Sequence, residues 1–534
     1  MKLPRFSSIL LAAVLTLPPG ITRAGETLYN GIVLPDAWPP KVDEAKLTAR
    51  EVPEAPWLKT QPRVIPIEVG RQLFVDDFLI ADTTLKRTFH QAKYHPESPL
   101  VKPTGDWEKK GEPTAMVFSD GVWYDAKDGL FKMWYMGGYV ASTCLATSKD
   151  GIHWEKPSYD VVPGTNVVQK GTRDSATVWL DHEEKDPARR FKLWRAHSLG
   201  KTWGLTLHFS PDGIHWTDPV LDTGWIGDRS TVFYNPFRKL WIYSLRHGWG
   251  VPRMRRYWET PDLVKGPAWV EMKEPHWWTG ADTQDAMRED LKIQPELYNL
   301  DAVAYESVML GLFTIWRGQP ADRPKPNEVC VGFSRDGFHW DRPDHRALIP
   351  VSEKKGDWNW GNVQSAGGCC LVVGEELWFY VSGRAGADGG KKSGVSATGL
   401  AVLRRDGFAS MDADDKGGML TTPPVTFKGR HLFVNAKLDA TAGELRAEML
   451  GQDGKPLAGY GVAECEMVKG DGTKLEVKWQ GGRDLASLAG QTVQFRFHVK
   501  SGSLYAFWVS DDEKGRSRGY VGAGGPGFTG VRDE

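Results

Sequence analysis

The sequence predicts an all-β chain: a five-bladed β-propeller followed by a C-terminal β-sandwich. Three observations lead there. A seven-residue phrase, Ser148-Lys149-Asp150-Gly151-Ile152-His153-Trp154, returns from Ser210 and again from Ser334; 62 residues separate the first two copies and 124, twice that, the next two. A fixed period of this length on strand-like sequence marks a radial or stacked repeat. Between the phrases the same order of parts recurs: a strand with a polar head, a turn, an aromatic second strand (residues 131–135, 191–194, 240–243 and 377–380), a third strand into the phrase and an outer strand after it. Four short antiparallel strands per repeat describe a propeller blade. After Asp412 the pattern changes to period-two alternation with glycine-rich turns, over 444–450, 493–497 and 504–508, as in a sandwich.

Each element follows from local chemistry. Lys2 and Arg5, the apolar run 8–17 and the small residues Thr22 and Ala24 read as a signal peptide over 1–24, predicting a periplasmic or secreted protein. The run is too short to span a bilayer. Residues 25–70, rich in Pro, Ala and charge, read as an extended arm. The propeller is expected over 71–412, with a worn phrase at Thr260-Pro261-Asp262 for the third blade and Arg405-Asp406-Gly407-Phe408 for the fifth. The strand at Leu73 is expected to close the ring against the last blade, since an open ring leaves an unpaired edge. The sandwich is expected over 417–522, with a loose glycine-rich end.

Composition excludes several functions. The 67 basic and 68 acidic residues balance, so no global field favours nucleic acid or an anionic membrane. Cys144, Cys330, Cys369, Cys370 and Cys465 are odd in number and form no C-x-x-C, which predicts buried free thiols and no cysteine-built metal site; no cofactor is expected. No phosphate loop, dinucleotide fingerprint or nucleophile elbow is present.

Inner strands line the funnel of a propeller, so their heads are the candidate site. Aligned, they begin at Glu112, Asp174, Asp228, Glu306 and Gln364, with Asp301 competing with Glu306 in the fourth blade. Carboxylates converging in one mouth raise each other's pKa, the condition for a general acid beside an ionised partner. The alternative is that they satisfy turn amides or pair with arginines. Arg246, His247, Arg317, Arg384 and His197 end the second strands, where they serve either to clamp an anionic sugar or to neutralise the acids. Among the loop tryptophans, Trp358 and Trp360 directly precede the fifth inner strand and are candidate stacking platforms for a sugar ring, although core packing is the default for tryptophan.

These blades and phrases resemble the five-bladed propeller glycoside hydrolases of families 32 and 43, over roughly 71–412, and the following sandwich fits the family 32 layout. The phrase also resembles the sialidase Asp-box, one residue shorter between Asp and Gly. The resemblance implies three carboxylates on successive inner strands, which by position are Glu112, Asp174 and Asp228. The invertase-like W-M-N-D-P-N-G is absent, the R-D-P counterpart is only the off-position Lys185-Asp186-Pro187, and Asp228 stands where the pattern has Glu, so Glu306 or Glu112 is the expected general acid. The expected activity is hydrolysis of a plant or algal oligo- or polysaccharide. The alternatives are a sialidase-like hydrolase of an acidic or sulfated sugar and a non-catalytic carbohydrate-binding propeller.

Overall fold

The computed structural model describes residues 25–198, 200, 202–248, 250–387 and 393–534, so the expected signal peptide lies outside the described residues. Five antiparallel sheets carry the repeats. From the axis outward, blade 1 is Ala115–Asp125, Leu130–Gly137, Ser142–Ser148 and Val167–Gln169; blade 2 is Ala176–Leu180, Phe191–Ser198, Trp203–Ser210 and Leu221–Asp222. Blade 3 is Thr231–Asn235, Leu240–His247, Met254–Thr260 and His276–Thr279. Blade 4 is Glu296–Glu306, Val308–Trp316 and Glu328–Ser334, with bridges from Phe333 to Asp341 and Val329 to Ile349 replacing an outer strand. Blade 5 is Gly361–Ser365 with Leu371–Val373, then Glu376–Arg384, Ser396–Arg404 and, outermost, Lys93–Tyr94.

The recurring phrase locks each blade to the one before it. In the first copy Ser148 Oγ accepts the Gly151 amide at 2.8 Å, and Asp150 Oδ1 accepts the amides of Ile152 and His153 at 2.9 and 2.8 Å. This is an Asx turn ending in a glycine at φ 76°, where any other residue is strained. The Gly151 carbonyl accepts from Tyr380 of blade 5 at 2.6 Å, and a Cβ there would stand 2.8 Å from the Trp378 ring. In the second copy the Gly213 carbonyl accepts from Trp134 of blade 1 at 2.8 Å; in the third, the Phe338 carbonyl accepts from Trp278 of blade 3 at 2.7 Å.

The ring closes at a different place from the one expected. Lys93–Tyr94 pairs with Val402 and Ala401, whereas Leu73 pairs with Ala506 in the sandwich, where the adjacent Phe74 stacks on Phe507 at 5.7 Å. The boundaries shift accordingly. One sandwich sheet holds Asp471–Val477, His431–Leu438, Gly502–Ser510, Ala409–Ala413, Lys86–Phe89 and Gln72–Leu73; the other holds Glu444–Leu450, Gln494–Lys500, Gly418–Thr421 and Asp82–Thr83. The sandwich therefore starts inside the span expected for the propeller and borrows three strands from its beginning. Between the sheets lies a second core that includes Leu432, Val434, Leu445, Phe495 and Phe497.

The chain ends are tied down. The C-terminal stretch, expected to be loose, pairs Val521 and Tyr520 with Tyr305 and Glu306, and the Ala523 amide donates to the Cys370 carbonyl at 2.8 Å. The N-terminal arm is a strap: Tyr29 stacks on Phe237 at 4.1 Å, Trp38 meets Phe338 edge-on, and Trp57 is buried in the sandwich core. All five cysteines are buried free thiols. Among the described residues no helix is long and apolar enough to cross a membrane.

Candidate functional site

The inner strands of blades 2 and 3 start alike, as Asp174-Ser175-Ala176-Thr177-Val178 and Asp228-Arg229-Ser230-Thr231-Val232. Ser175 Oγ lies 2.9 Å from the Ser230 carbonyl and 3.1 Å from that of Asp228, stitching the two starts side by side. Both aspartates are partly exposed. Asp228 Oδ1 lies 3.1 Å from Arg246 Nη1, and the Arg246 amide donates to Ser230 Oγ at 3.0 Å. Burial and then the charge of Asp228 push the Asp174 carboxyl up to about 6, against the pull of Arg229 and Arg173.

Below this pair the axis is closed by a polar plug. Arg229 is buried, stacks on the Phe118 ring at 3.8 Å, and donates to Gln364 Oε1 at 2.9 Å and the Phe118 carbonyl at 3.0 Å. One guanidinium thus joins blades 3, 5 and 1. Asp301 Oδ2 accepts from Ser119 and Ser365 at 2.6 and 2.7 Å, and Arg173 holds Asp120 from two sides, one contact at 2.8 Å. Arg255 donates to the Arg229 carbonyl at 2.7 Å and to Ser244 Oγ at 2.9 Å.

Tyr298, on the inner strand of blade 4, stands at the mouth. Lys325 Nζ donates to its hydroxyl at 3.2 Å, and the Arg253 guanidinium lies 4.2 Å from its ring centroid. Burial pushes the phenol up, but Lys325, Arg253 and Arg384 outweigh it, together with Asp174 acting the other way, and leave Tyr298 below the usual tyrosine range. Arg246 also feels Asp228, Tyr298 and Asp174, so blades 2, 3, 4 and 5 all contribute charge to this rim.

Most of the remaining predicted residues fall elsewhere, Glu112 alone staying beside the rim through Ser393 and Arg384. Glu306 is fully buried at the other end of its strand, eight residues past Tyr298 and roughly 26 Å away at 3.3 Å per residue. It sits 3.0 Å from Arg405 and accepts from the Arg71 amide and Ser517 at 3.0 and 2.7 Å. Burial lifts its carboxyl even against Arg405 and Arg71, but no substrate reaches it, so its assignment to the site is corrected. The true inner strand of blade 4 is Glu296–Glu306, so Glu306 is its last residue, at the hairpin turn into Val308–Trp316, and not its head. Glu112 Oε2 accepts the Ser393 amide at 3.1 Å, and Arg384 donates to Ser393 Oγ at 2.6 Å.

Gln364 belongs to the plug rather than to an open binding surface. Arg317 is buried, donating to the Ala286 carbonyl at 2.6 Å beside Glu328. His197 bonds Thr206 Oγ1 at 2.8 Å; His247 packs edge-on to Trp277, and burial with Arg256 and Arg246 lowers it to about 4. Trp358 is wedged against Gly383, where a Cβ would lie 2.8 Å from the ring, and Trp360 is buried against Gly386 beside Arg323. Trp360 is packing rather than a platform; Trp358 is half-buried, its ring seated against Gly383 and Gly399. Trp225, half exposed and three residues before Asp228, is the open indole near the pair. Sequence reasoning missed Tyr298, Arg253, Lys325 and Arg229; aligning blade 4 from Glu296 would have placed Tyr298 among the strand heads.

Among the described residues one group has ligating geometry for a metal, Asp282, Asp285 and His345. Its charge is met by Arg342, 2.9 Å from Asp285 and 3.5 Å from Asp282, while His345 bonds Asp282 at 2.9 Å.

The architecture defines a propeller-plus-sandwich protein with a polar rim at one mouth. No family model matches the chain, and no curated protein is significantly similar to it. Solved structures with a similar fold include an N-acetylgalactosamine deacetylase from F. plautii in complex with blood group B trisaccharide, 14% identical over 61% of this chain and 96% of that one at a TM-score of 0.41. A thermostable family-43 glycoside hydrolase is 10% identical over 56% and 96% at 0.38. A fructofuranosidase from Schwanniomyces occidentalis complexed with fructosylnystose is 12% identical over 79% and 98% at 0.35. At these identities the likeness concerns fold, and the chemistry rests on the rim residues.

Proposed function

We propose that this protein hydrolyses glycosidic bonds at the propeller mouth, with Asp174 as the proton donor and Asp228 as the base or nucleophile. One observation carries the reading: a partly exposed carboxyl raised to about 6 beside a second carboxylate that is paired with Arg246. Environments that push two carboxylates apart divide acid from base, and glycoside hydrolysis uses such a pair. The sequence pointed instead to Glu306 or Glu112 as the proton donor. Trp225 offers the ring face on which a sugar stacks. Export remains part of the proposal and rests on the first 24 residues of the sequence.

A glycan panel tests it. The protein is expected to release reducing ends from at least one oligo- or polysaccharide. Asp174→Asn and Asp228→Asn each lose roughly a hundredfold or more in turnover, in line with removal of an acid or base, with sugar binding retained. Sugar binding without turnover by the unaltered protein would overturn the reading in favour of a lectin.

A further inference from the structure

We propose that the rim beside Asp174 is a subsite for an anionic sugar substituent, a carboxylate or a sulfate ester, gripped by Arg253, Lys325 and Arg384 over Tyr298; its place on a cleaved saccharide rests on the reading above. The first observation is unmet charge. The arginines of blade 4 are paired: Arg317 with Glu328, Arg323 with Glu353, Arg342 with Asp285. Among the described residues, Arg253, Lys325 and Arg384 have no carboxylate oxygen within 4.0 Å. They come from the hairpin of blade 3, the approach to the third strand of blade 4 and the second strand of blade 5, yet all three act on the one phenol. Gathering like charges is costly unless an anion joins them.

The second observation is an orphan donor. Arg253 Nη1 is buried with no hydrogen-bond partner, although its guanidinium carbon lies over the Tyr298 ring, 4.2 Å from the centroid. A buried N–H left unmade costs free energy that an arriving acceptor recovers, and guanidinium matches carboxylate or sulfate oxygens in pairs. Below the rim, Arg229 and Arg255 add buried positive charge, balanced locally by Asp301. Asp228 occupies Arg246, whereas the other three cations, bonded only to neutral groups, have no counter-ion of their own among the described residues.

An anion here also couples to Tyr298. The bound charge offsets Lys325, Arg253 and Arg384 and adds to the effect of Asp174, so it favours the protonated phenol, which can donate to the ligand. By linkage, ionising Tyr298 at alkaline pH weakens anion binding by the same factor.

The test is calorimetric titration of the full-length protein with glucuronic acid, galactose 6-sulfate and their neutral parents glucose and galactose. The acidic sugars are expected to bind roughly tenfold or more tightly than the neutral ones, and Arg253→Gln or Lys325→Met to abolish that preference by weakening the acidic sugars selectively. Comparing uronate with sulfate identifies which anion the rim takes. As a second readout, phenolate absorbance against pH, compared with Tyr298→Phe, should show one tyrosine titrating early and moving upward when the acidic sugar binds. Equal affinity for acidic and neutral sugars, or a preference unchanged in both variants, would overturn the subsite. Selective binding without hydrolysis of any acidic glycan would support it and overturn the hydrolase reading instead.

Discussion

Glu306→Gln separates a structural acid from a catalytic one. In the native protein every neighbour of the carboxylate is a donor: Oε2 takes the Arg71 amide at 3.0 Å and Ser517 Oγ at 2.7 Å, and Oε1 takes Arg405 at 3.0 Å with Arg71 Nε at 3.5 Å. Whichever oxygen becomes NH2 therefore faces other donors. Removing one partner of a buried ion network costs about 3–5 kcal/mol, and the hydrogen bonds kept by the remaining oxygen return about 1 kcal/mol. A net loss of about 2–4 kcal/mol is large beside a typical stability of about 5–15 kcal/mol. The unfolding free energy from urea titration should fall by that amount, and proteolysis of the tail should quicken, because Glu306 pairs with Tyr520 where the C-terminal strand docks. Turnover per folded molecule should stay unchanged. A variant with native stability and no turnover would refute both the network and the reassignment.

Other substitutions probe the remaining corrections. Trp358→Ala opens a hole against Gly383 and should lower stability by about 3–5 kcal/mol in denaturant titration, leaving sugar affinity of the folded protein unchanged. Asp174→Asn should flatten the pH dependence of stability. With its carboxyl raised from 3.8 to about 6, native Asp174 contributes fully below pH 3.8, and that contribution is lost as pH rises through about 6. The shift sets a ceiling of about 3 kcal/mol; partial exposure and coupling to Asp228 reduce this to about 1–2 kcal/mol, readable as a higher melting temperature of the asparagine variant at neutral pH.

Much of the fold was legible because its signals are local. The phrase beginning at Ser148 needs its Ser, Asp and Gly for one turn, and the aromatic second strands supply the rings that receive it, so period and composition betray the blades together. Blade 4 misled because Glu306-Ser307-Val308 copies the polar-head pattern of an inner strand while forming a turn between two strands. Leu73 misled because an unpaired edge in the ring and one in the sandwich make the same local demand, and only Phe507, far along the chain, decides between them. The glycines that seat Trp358 follow it at 383 and 399, so its packing carried no signal at its own position. Arg253, Lys325 and Arg384 meet at Tyr298 from three separate loops and strands, a convergence that no spacing rule encodes.

The central claim is that Asp174 supplies the proton at the propeller mouth, and the pH dependence of kcat/KM on the saccharide that turns over tests it most directly. The expected profile falls as pH rises through about 6, the value to which burial and Asp228 raise this carboxyl, and Asp174→Asn removes the limb along with the activity. A rate that holds level through neutral pH, with an Asp174→Asn variant as active as the native protein, would contradict it.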